Sequence, residues 1–158
     1  MPLAMVTAAA GMIGEAVSRK LIETGWQVVM TDKNPDNLEA IAALVGKAPK
    51  VTTHPLDVTD LEQVKEVVAR ILKDHGRIDG LVNIAGGSTA IGVPKVEFTD
   101  STPEEWEIVI SVNFKGMLNC THTVLPHLMK RGWGRIVNIA TSLSTLQRKN
   151  YSPYGVTK

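Results

Sequence analysis

The sequence lacks an excess of charge, a long apolar run and a second cysteine. Seventeen lysines and arginines balance sixteen aspartates and glutamates, so the net charge of +1 gives no reason to expect a nucleic acid or an anionic membrane as partner. No apolar run approaches the roughly 18 residues that cross a bilayer. Cys120 has no disulfide partner within the chain, so we expect a buried hydrophobe in a protein of the reducing cytoplasm.

Histidines are few, and their spacing does not suit a metal site. The chain contains His54, His75, His122 and His127. Ligand pairs on one helical face stand four residues apart, whereas His122 and His127 are five apart. We therefore predict no metal ligands in this chain.

Short β-rich runs alternate with amphipathic helical runs along the whole chain. The predicted strands are LAMVTA (3–8), QVVMT (27–31), VTTHPL (51–56), DGLVNIA (79–85) and GRIVNIAT (134–141). Strands this rich in Val, Ile and Leu, each leading into a helix, are typical of a parallel sheet covered on both faces. Right-handed crossovers then predict a doubly wound α/β fold in a single domain, 1–158.

Capping residues place the starts of the predicted helices. These helices cover about 12–24, 35–45, 59–75 and 102–131. Thr59 with Glu62 forms a predicted capping box for the third helix. Thr102 with Glu105 has the same spacing, and Pro103 between them suits the first helical position.

The first strand-to-helix turn reads TAAAGMIG (7–14). In a doubly wound fold this turn binds phosphate, because the helix N-terminus offers free N–H groups and the positive end of the helix dipole. Gly11 and Gly14 would let the backbone approach a pyrophosphate. Two glycines alone are a weak signal, since an ordinary turn contains them equally often.

Asp32 follows the second predicted strand, eighteen residues after Gly14. A carboxylate at this place accepts hydrogen bonds from the adenosine ribose hydroxyls of NAD and repels the 2′-phosphate of NADP. Lys33, next to it, would partly compensate that repulsion. The position of Asp32 therefore favours NAD over NADP as the cofactor.

Several motifs, in their order and spacing, resemble the short-chain dehydrogenase/reductase family. They are TAAAGMIG (7–14), Asp32, LDV (56–58), NIAG (83–86), Asn113 in VNFKG, IVNIATS (136–142) and YGVTK (154–158). The resemblance implies a Rossmann-like sheet of order 3-2-1-4-5 in this part, with the C-terminal strands missing. The sequence departs from the family at Ala8 and Met12, where the family has glycine, and at Ile84, where it has asparagine.

The last motif is catalytic in the family. Tyr154 and Lys158 are four residues apart, so a helix would place both on one face. The resemblance implies that Tyr154 exchanges a proton with the substrate oxygen, while Lys158 favours the phenolate and binds the nicotinamide ribose. Asn113 is implied to hold a water of a proton relay behind the lysine. Tyr151 has no lysine four residues later and is not predicted to be catalytic.

The family also has a hydroxyl thirteen residues before the tyrosine, where it binds the substrate oxygen. That position is Thr141 here, and Ser142 follows it. A threonine hydroxyl can make this bond although its methyl group restricts the rotamer, and a small shift would bring in Ser142 instead. Neighbours on a strand point to opposite faces, which favours Thr141 without excluding Ser142.

The resemblance extends to the residues around the cofactor. Those implied to bind it are Gly11, Met12, Ile13, Gly14, Asp32, Lys33, Asp57, Val58, Asn83, Ala85, Gly86, Tyr154 and Lys158. Segments 87–101 and 143–150 are candidates for lining the substrate site. Arg148 and Lys149 could attract an acidic substrate, although a solvated loop is the simpler explanation.

We therefore expect a cytoplasmic, NAD-dependent oxidoreductase that acts on a small-molecule alcohol or carbonyl substrate. A non-catalytic dinucleotide-binding or scaffold protein is the alternative, because the glycine turn is altered. In the family the chain continues past the lysine and its helices pack against a second subunit. We expect the complete protein to be longer and homo-oligomeric (a dimer or tetramer), and a polypeptide ending at Lys158 to be poorly soluble and inactive.

Overall fold

Five parallel strands form one sheet, so their carboxyl ends meet at a single edge. The computed structural model describes residues 1–146 and 148–158. The strands are β1 (Leu3–Val6), β2 (Gln27–Asp32), β3 (Val51–Pro55), β4 (Gly80–Asn83) and β5 (Arg135–Asn138). Their order is β3-β2-β1-β4-β5, with every neighbouring pair parallel. The doubly wound, Rossmann-like sheet predicted from the sequence is confirmed.

Helices connect the strands and close the described part of the chain. They are α1 (Met12–Glu23), α2 (Pro35–Val45), α3 (Leu61–His75), α4 (Pro103–Ile110), α5 (Gly116–Arg131) and α6 (Ser152–Thr157). The stretch predicted to be irregular after β4 contains two 3₁₀ turns, Thr89–Ile91 and Phe98–Asp100. A third 3₁₀ turn, Ser142–Ser144, follows β5, and Gln147 in the same connection lies outside the described residues.

The helices cover both faces of the sheet, because successive strand side chains point to opposite faces. On one face Met5 of β1 packs in a cluster with Val68 of α3 and Cys120 of α5. On the other face Val6 packs in a cluster with Leu38 of α2. Burial raises the pKa of the Cys120 thiol to about 12, so this thiol belongs to the core and is unreactive.

Helix α3 begins at a different residue from the one predicted. Asp60 is its N-cap, with the carboxylate accepting a hydrogen bond from the Gln63 N–H at 3.0 Å. Thr59 lies one residue before this cap, and its hydroxyl donates to Asp57 Oδ1 at 2.7 Å. The predicted Thr59–Glu62 capping box was wrong, and Thr59 instead fixes Asp57 at the carboxyl end of β3.

Helix α4 begins as predicted, with a capping box between Thr102 and Glu105. The helix predicted to continue to about Arg131 is interrupted by a π turn over Ser111–Lys115, after which α5 begins. Single π turns inside helices occur frequently at functional sites. Asn113 lies in this turn and is buried.

A buried carboxylate fastens the amino edge of the sheet. Asp79 accepts hydrogen bonds from the Leu3 N–H at 2.8 Å and from two guanidinium nitrogens of Arg77 at 2.6 and 2.7 Å. Burial alone would raise the pKa of Asp79, but these hydrogen bonds and the charges of Arg77 and Arg131 hold it below its usual value. The strands are thus held together at the edge opposite the loops that form the cleft.

Neither a metal cluster nor a membrane-spanning helix occurs in residues 1–146 and 148–158. No helix there combines enough length and apolarity to cross a bilayer. No three His, Cys, Asp or Glu side chains are grouped there as ligands of a metal ion. The polar groups considered below lie at the carboxyl edge of the sheet.

Candidate active site

A cleft of about 800 Å³ opens at the carboxyl edge of the sheet. Its walls are the loops after β1, β2, β3 and β4, on both sides of the point where the strand order reverses. Ligands of open α/β sheets bind at such a switch point. The predicted cofactor residues that line this cleft are Gly11, Met12, Ile13, Gly14, Asp32, Lys33, Asp57, Val58, Ala85 and Gly86.

The start of α1 forms one wall of the cleft. Gly11 is the N-cap, and no side chain caps the helix, so its first N–H groups face the cleft without a side-chain acceptor. A Cβ atom at Gly14 would lie 2.3 Å from the carbonyl oxygen of Ala8. Only glycine allows this close approach of helix and turn, which leaves an anion-binding helix N-terminus open to the cleft.

The two departures from the family's glycine pattern have different consequences. Ala8 has φ of +48°, a left-handed conformation that costs an L-residue roughly 1–2 kcal/mol. Met12 is 91% exposed, and its side chain extends from the first position of α1 into solvent at the mouth of the cleft. The strain therefore lies at Ala8, while Met12 leaves the turn backbone undisturbed.

Asp32 stands at the end of β2, where the ribose-binding carboxylate was predicted. Its Oδ2 accepts from the Ala10 N–H at 3.2 Å and its Oδ1 from the Asn34 N–H at 3.1 Å. Each carboxylate oxygen can accept a second hydrogen bond, so capacity for a ligand hydroxyl remains. Lys33 points along the rim, 3.9 Å from Asp57 Oδ2 and with 78% of its side chain exposed.

Asp57 and Val58 form the wall after β3, and α5 holds them there. Burial alone would raise the pKa of Asp57, but hydrogen bonds from the Thr59 hydroxyl and N–H, with the charge of Lys33, lower it. The Val58 carbonyl accepts from Asn119 of α5 at 2.9 Å. The Asp57 carboxylate is thus charged and oriented at the rim of the cleft.

Thr7 is a positioning residue that motif reading missed. Its buried hydroxyl accepts hydrogen bonds from the N–H groups of Ile84 and Ala85, at 3.0 and 3.1 Å. It thereby joins the end of β1 to the loop that forms the floor of the cleft. The available signal was a hydroxyl residue directly after a buried strand, at the first position of the turn motif.

Asn83 does not line the cleft. Its amide nitrogen donates to Asn138 of β5 at 2.8 Å and to Thr121 of α5 at 3.1 Å. The buried Asn83 Oδ1 has no hydrogen-bond partner in the described part of the chain. The side chain therefore braces the sheet behind the cleft, while Ala85 and Gly86 present backbone to it.

Asn113 connects the helix containing the π turn to two other segments. Its Oδ1 accepts from the Gly87 N–H at 2.8 Å, and its Nδ2 donates to the Gly87 carbonyl and the Thr157 hydroxyl, both at 3.0 Å. These bonds hold the loop after β4 beside α6. Oδ1 can accept a second hydrogen bond, and the relay water implied at Asn113 stays a prediction.

Lys158 lies under the floor of the cleft. Its ammonium donates to the carbonyl of Ala85 at 3.0 Å, and burial lowers its pKa. A Cβ at Gly86 would lie 2.5 Å from Lys158 Cε and equally close to Asn113 Oδ1. Gly86, with φ of +142°, therefore allows the lysine and the asparagine to reach the same point.

Tyr154 and Thr141 do not line this cleft. Tyr154, in α6, lines a separate narrow cavity with Tyr151, and Thr141 is the N-cap of the 3₁₀ turn after β5. Both are half-buried, whereas Ser142 is exposed. The Thr141 hydroxyl accepts from the Leu143 N–H at 3.3 Å, which leaves its own proton available for another acceptor. The Tyr154 ring contacts Tyr151 edge-on, with ring centroids 6.4 Å apart.

Replacing Ala8 by glycine tests the strain in the turn. We expect the free energy of unfolding to rise by about 0.5–1 kcal/mol, because glycine adopts the left-handed conformation without penalty. Chemical denaturation measures the change. Ala10→Gly, in the same turn but without a positive φ, is the matched control and should lower stability. Equal losses in both variants would contradict strain at Ala8.

Known proteins share both the sequence pattern and the fold. The family model described as short chain dehydrogenase matches residues 2–158. The 3-oxoacyl-acyl-carrier-protein reductase FabG of Thermotoga maritima is 33% identical over 98% of this chain and 61% of its own length. The NADP-dependent 3-hydroxy acid dehydrogenase YdfG of Salmonella typhimurium is 31% identical, over 99% of this chain and 60% of the relative.

Solved structures agree with these relatives. NAD⁺-bound xylitol dehydrogenase superposes with a TM-score of 0.90 at 29% identity, over 99% of this chain and 59% of that structure. The chain thus spans about three fifths of the length of the proteins it matches. Because the family model covers almost every residue, and the turn after β1 and the tyrosine–lysine motif lie at the same edge of the sheet, the chain belongs to the short-chain dehydrogenase/reductase family.

Proposed function

We propose that residues 1–158 form one dinucleotide-binding domain of a cytoplasmic oxidoreductase that transfers a hydride between a nicotinamide cofactor and a secondary alcohol or carbonyl. The observation that carries the proposal is the position of Lys158. Its ammonium lies beneath Gly86 at the floor of the cleft, and Tyr154 stands one helical turn before it. Tyr154 and Lys158, one helical turn apart, are the pair that we propose for proton exchange with the substrate.

The residues of the cleft fit a dinucleotide. The uncapped start of α1 suits a pyrophosphate, and the carboxylate of Asp32 suits ribose hydroxyls. Asp57 and Val58 would lie beside the adenine. Ala85 and Gly86 would offer only their backbone to the rest of the dinucleotide. When bound, the nicotinamide supplies or accepts the hydride.

The chain's own residues would handle the proton. Tyr154 accepts it from the substrate hydroxyl during oxidation and returns it during reduction. Lys158 follows in the same helical turn, and Asn113 keeps α6 and the loop after β4 together so that both residues stay beside that loop. The Thr141 hydroxyl, half-buried and able to donate, is the better candidate than Ser142 for binding the substrate oxygen.

A non-catalytic dinucleotide-binding protein is the second candidate. The strained Ala8 in the phosphate turn favours it, because the family has glycine at this position. Such a protein would bind NAD or NADP and oxidise no alcohol. The next experiment separates the two candidates.

Tyr154→Phe should reduce turnover by roughly 10²–10⁴-fold while the affinity for the cofactor stays the same, because only the proton-exchanging hydroxyl is removed. The assay follows cofactor reduction by a panel of secondary alcohols, and calorimetry measures cofactor affinity.

Thr141→Val and Ser142→Ala in the same assay identify the hydroxyl that binds the substrate oxygen. We expect a large loss only for Thr141→Val. Cofactor binding without turnover in the complete, unmodified protein would support the non-catalytic candidate, and normal rates in Tyr154→Phe would exclude Tyr154 as the acid/base.

We propose NAD rather than NADP as the preferred cofactor. Asp32→Ala should weaken NAD binding by roughly 10- to 100-fold, because a hydrogen-bonding carboxylate is lost. The ratio of the NADP and NAD dissociation constants should fall at the same time. Asp36→Ala is the matched control, since Asp36 is an exposed neighbour outside the lining of the cleft. Tighter binding of NADP than of NAD by the unmodified chain would overturn this choice.

One face of the helical segment from the π turn through α5 supports a homo-oligomer, either a dimer or a tetramer. Phe114, Leu118, Leu125 and Met129 recur at helical spacing and are all exposed, Met129 by 70%. We propose that this face packs against a second copy of the chain. Met129→Glu should shift the sedimentation coefficient towards that of a monomer, whereas Lys130→Glu, on another side of α5, should not. A monomeric unmodified chain would refute the proposal.

A further inference from the structure

Two loops bring positive charge to the ring of Tyr151. Lys95, from the loop before α4, places its ammonium 4.8 Å from the ring centroid. Arg148, from the connection after β5, places its guanidinium carbon 6.0 Å from the same centroid. A cation near an aromatic ring is attracted by the ring quadrupole, and here two cations lie within 6.0 Å of the centroid of one ring.

The acidic groups of the same region are already engaged. Glu97 pairs with Lys149, a contact that joins the two loops. Glu105, which lines the cavity beside Tyr151, accepts the Thr102 N–H in the capping box of α4. Among the described residues no carboxylate forms a salt bridge with Lys95 or Arg148, so their charges are available to a ligand.

The cluster has a positive potential that acts on Tyr151 itself. Lys95, by hydrogen bonding first and by its charge second, lowers the pKa of the Tyr151 phenol, and the charge of Arg148 adds to this effect. An environment that favours a phenolate also favours any other bound anion. The cluster is therefore a place where an anionic group would be stabilised.

The cluster stands directly beside the proposed proton-exchanging residue. Tyr151 and Tyr154 contact each other edge-on and line the same narrow cavity, between the loop after β4 and the start of α6. A ligand group held between Lys95 and Arg148 would thus lie close to the substrate oxygen at Tyr154. The two tyrosine ring centroids are 6.4 Å apart, and a short molecule that carries both a hydroxyl and an acid can span such a separation.

We propose that Lys95 and Arg148, on the ring of Tyr151, bind the carboxylate of the substrate, which is therefore a short hydroxy acid or the corresponding oxo acid. This inference rests on the proposed function and names the substrate class of that site. In the oxidative direction the carbinol C–H leaves as hydride to the oxidised cofactor and the O–H proton goes to Tyr154, so a carbonyl forms. The carboxylate keeps its charge throughout and serves only to position the substrate.

Many phosphate sites are built from consecutive backbone N–H groups in glycine-rich turns or at helix starts. The donors here are instead two side-chain cations and one phenol on separate segments. Arginine and lysine side chains bind phosphate as well as carboxylate, so the titration below includes both anions.

The binding test uses the fact that the chain has only two tyrosines. In Tyr154→Phe, with the tyrosine ring carbon next to the hydroxyl labelled with carbon-13, a pH titration by NMR reports the pKa of Tyr151 alone. Adding butanoate should raise this pKa, because a bound anion opposes the phenolate, and butan-1-ol should not. The response should vanish when Lys95→Gln and Arg148→Gln are added.

Inorganic phosphate and Lys149→Gln are the comparisons in this titration. Lys149 carries the same charge on the same loop but pairs with Glu97, so its removal should leave the response to butanoate intact. The carboxylate site would be overturned if the Tyr151 pKa did not change on addition of butanoate, or if it changed with phosphate and not with butanoate. This readout needs no turnover, so it remains decisive if the proposed oxidoreductase activity fails.

The kinetic test compares 2-hydroxybutanoate, 3-hydroxybutanoate and 4-hydroxypentanoate, all of which are secondary alcohols, with their methyl esters in the complete, unmodified protein. At least one acid should be oxidised with a kcat/KM well above that of its ester. Lys95→Gln and Arg148→Gln should each lower this kcat/KM by roughly fivefold through KM, since exposed ion pairs contribute up to about 1 kcal/mol. Oxidation of the esters should not change. Equal losses for acids and esters would contradict the proposal, whereas no oxidation of any alcohol would contradict the proposed function instead.

Discussion

The side chain of Asn113 is the constraint on which the arrangement of the site depends. A buried amide without partners costs free energy, and this one is satisfied by groups from two other segments. Gly87, just after β4, supplies an N–H and a carbonyl, and Thr157 in α6 supplies a hydroxyl. Displacing either segment would leave the amide unsatisfied, so the floor of the cleft and the tyrosine–lysine helix are held at a fixed separation.

The π turn explains how one long helical segment can hold two loops of the cleft. Asn113 emerges from the widened turn towards the loop after β4. Three residues later Gly116 contacts the loop after β3, where an added Cβ would lie 2.5 Å from Val58 Cγ2. Asparagine is a mediocre helix former, and its cost in the helix is offset by the three hydrogen bonds it makes there. The π turn and the start of α5 therefore set the positions of two walls of the cleft, the loop after β3 and the loop after β4.

The features that could be predicted from the sequence are those decided by local interactions. The strands are continuous apolar runs, and the Thr102–Glu105 capping box depends on residues three apart, so both were found. Thr59 is not the cap because the next residue, Asp60, takes the N-cap position, while the Thr59 hydroxyl donates to Asp57. Thr7 bonds to a backbone 77 positions away, and no local pattern reports such a partner. The same holds for Lys95 and Arg148, which only folding brings to one ring.

The charges along the site are arranged with opposite signs at its two ends. Asp32 and Asp57 stand at the end where β2 and β3 terminate, and Lys95 and Arg148 stand at the end near α6. Lys158 lies between them, half-buried under the floor. A ribose is stabilised by hydrogen bonds to the carboxylates, and an acid is stabilised by the charges of the cations. In the reverse placement the acid would lie beside Asp32 and Asp57, and the like charges would repel each other. If the cofactor and the acid bind as proposed, the neutral ribose therefore lies beside the carboxylates and the anionic substrate beside the cations, on the side of Tyr154.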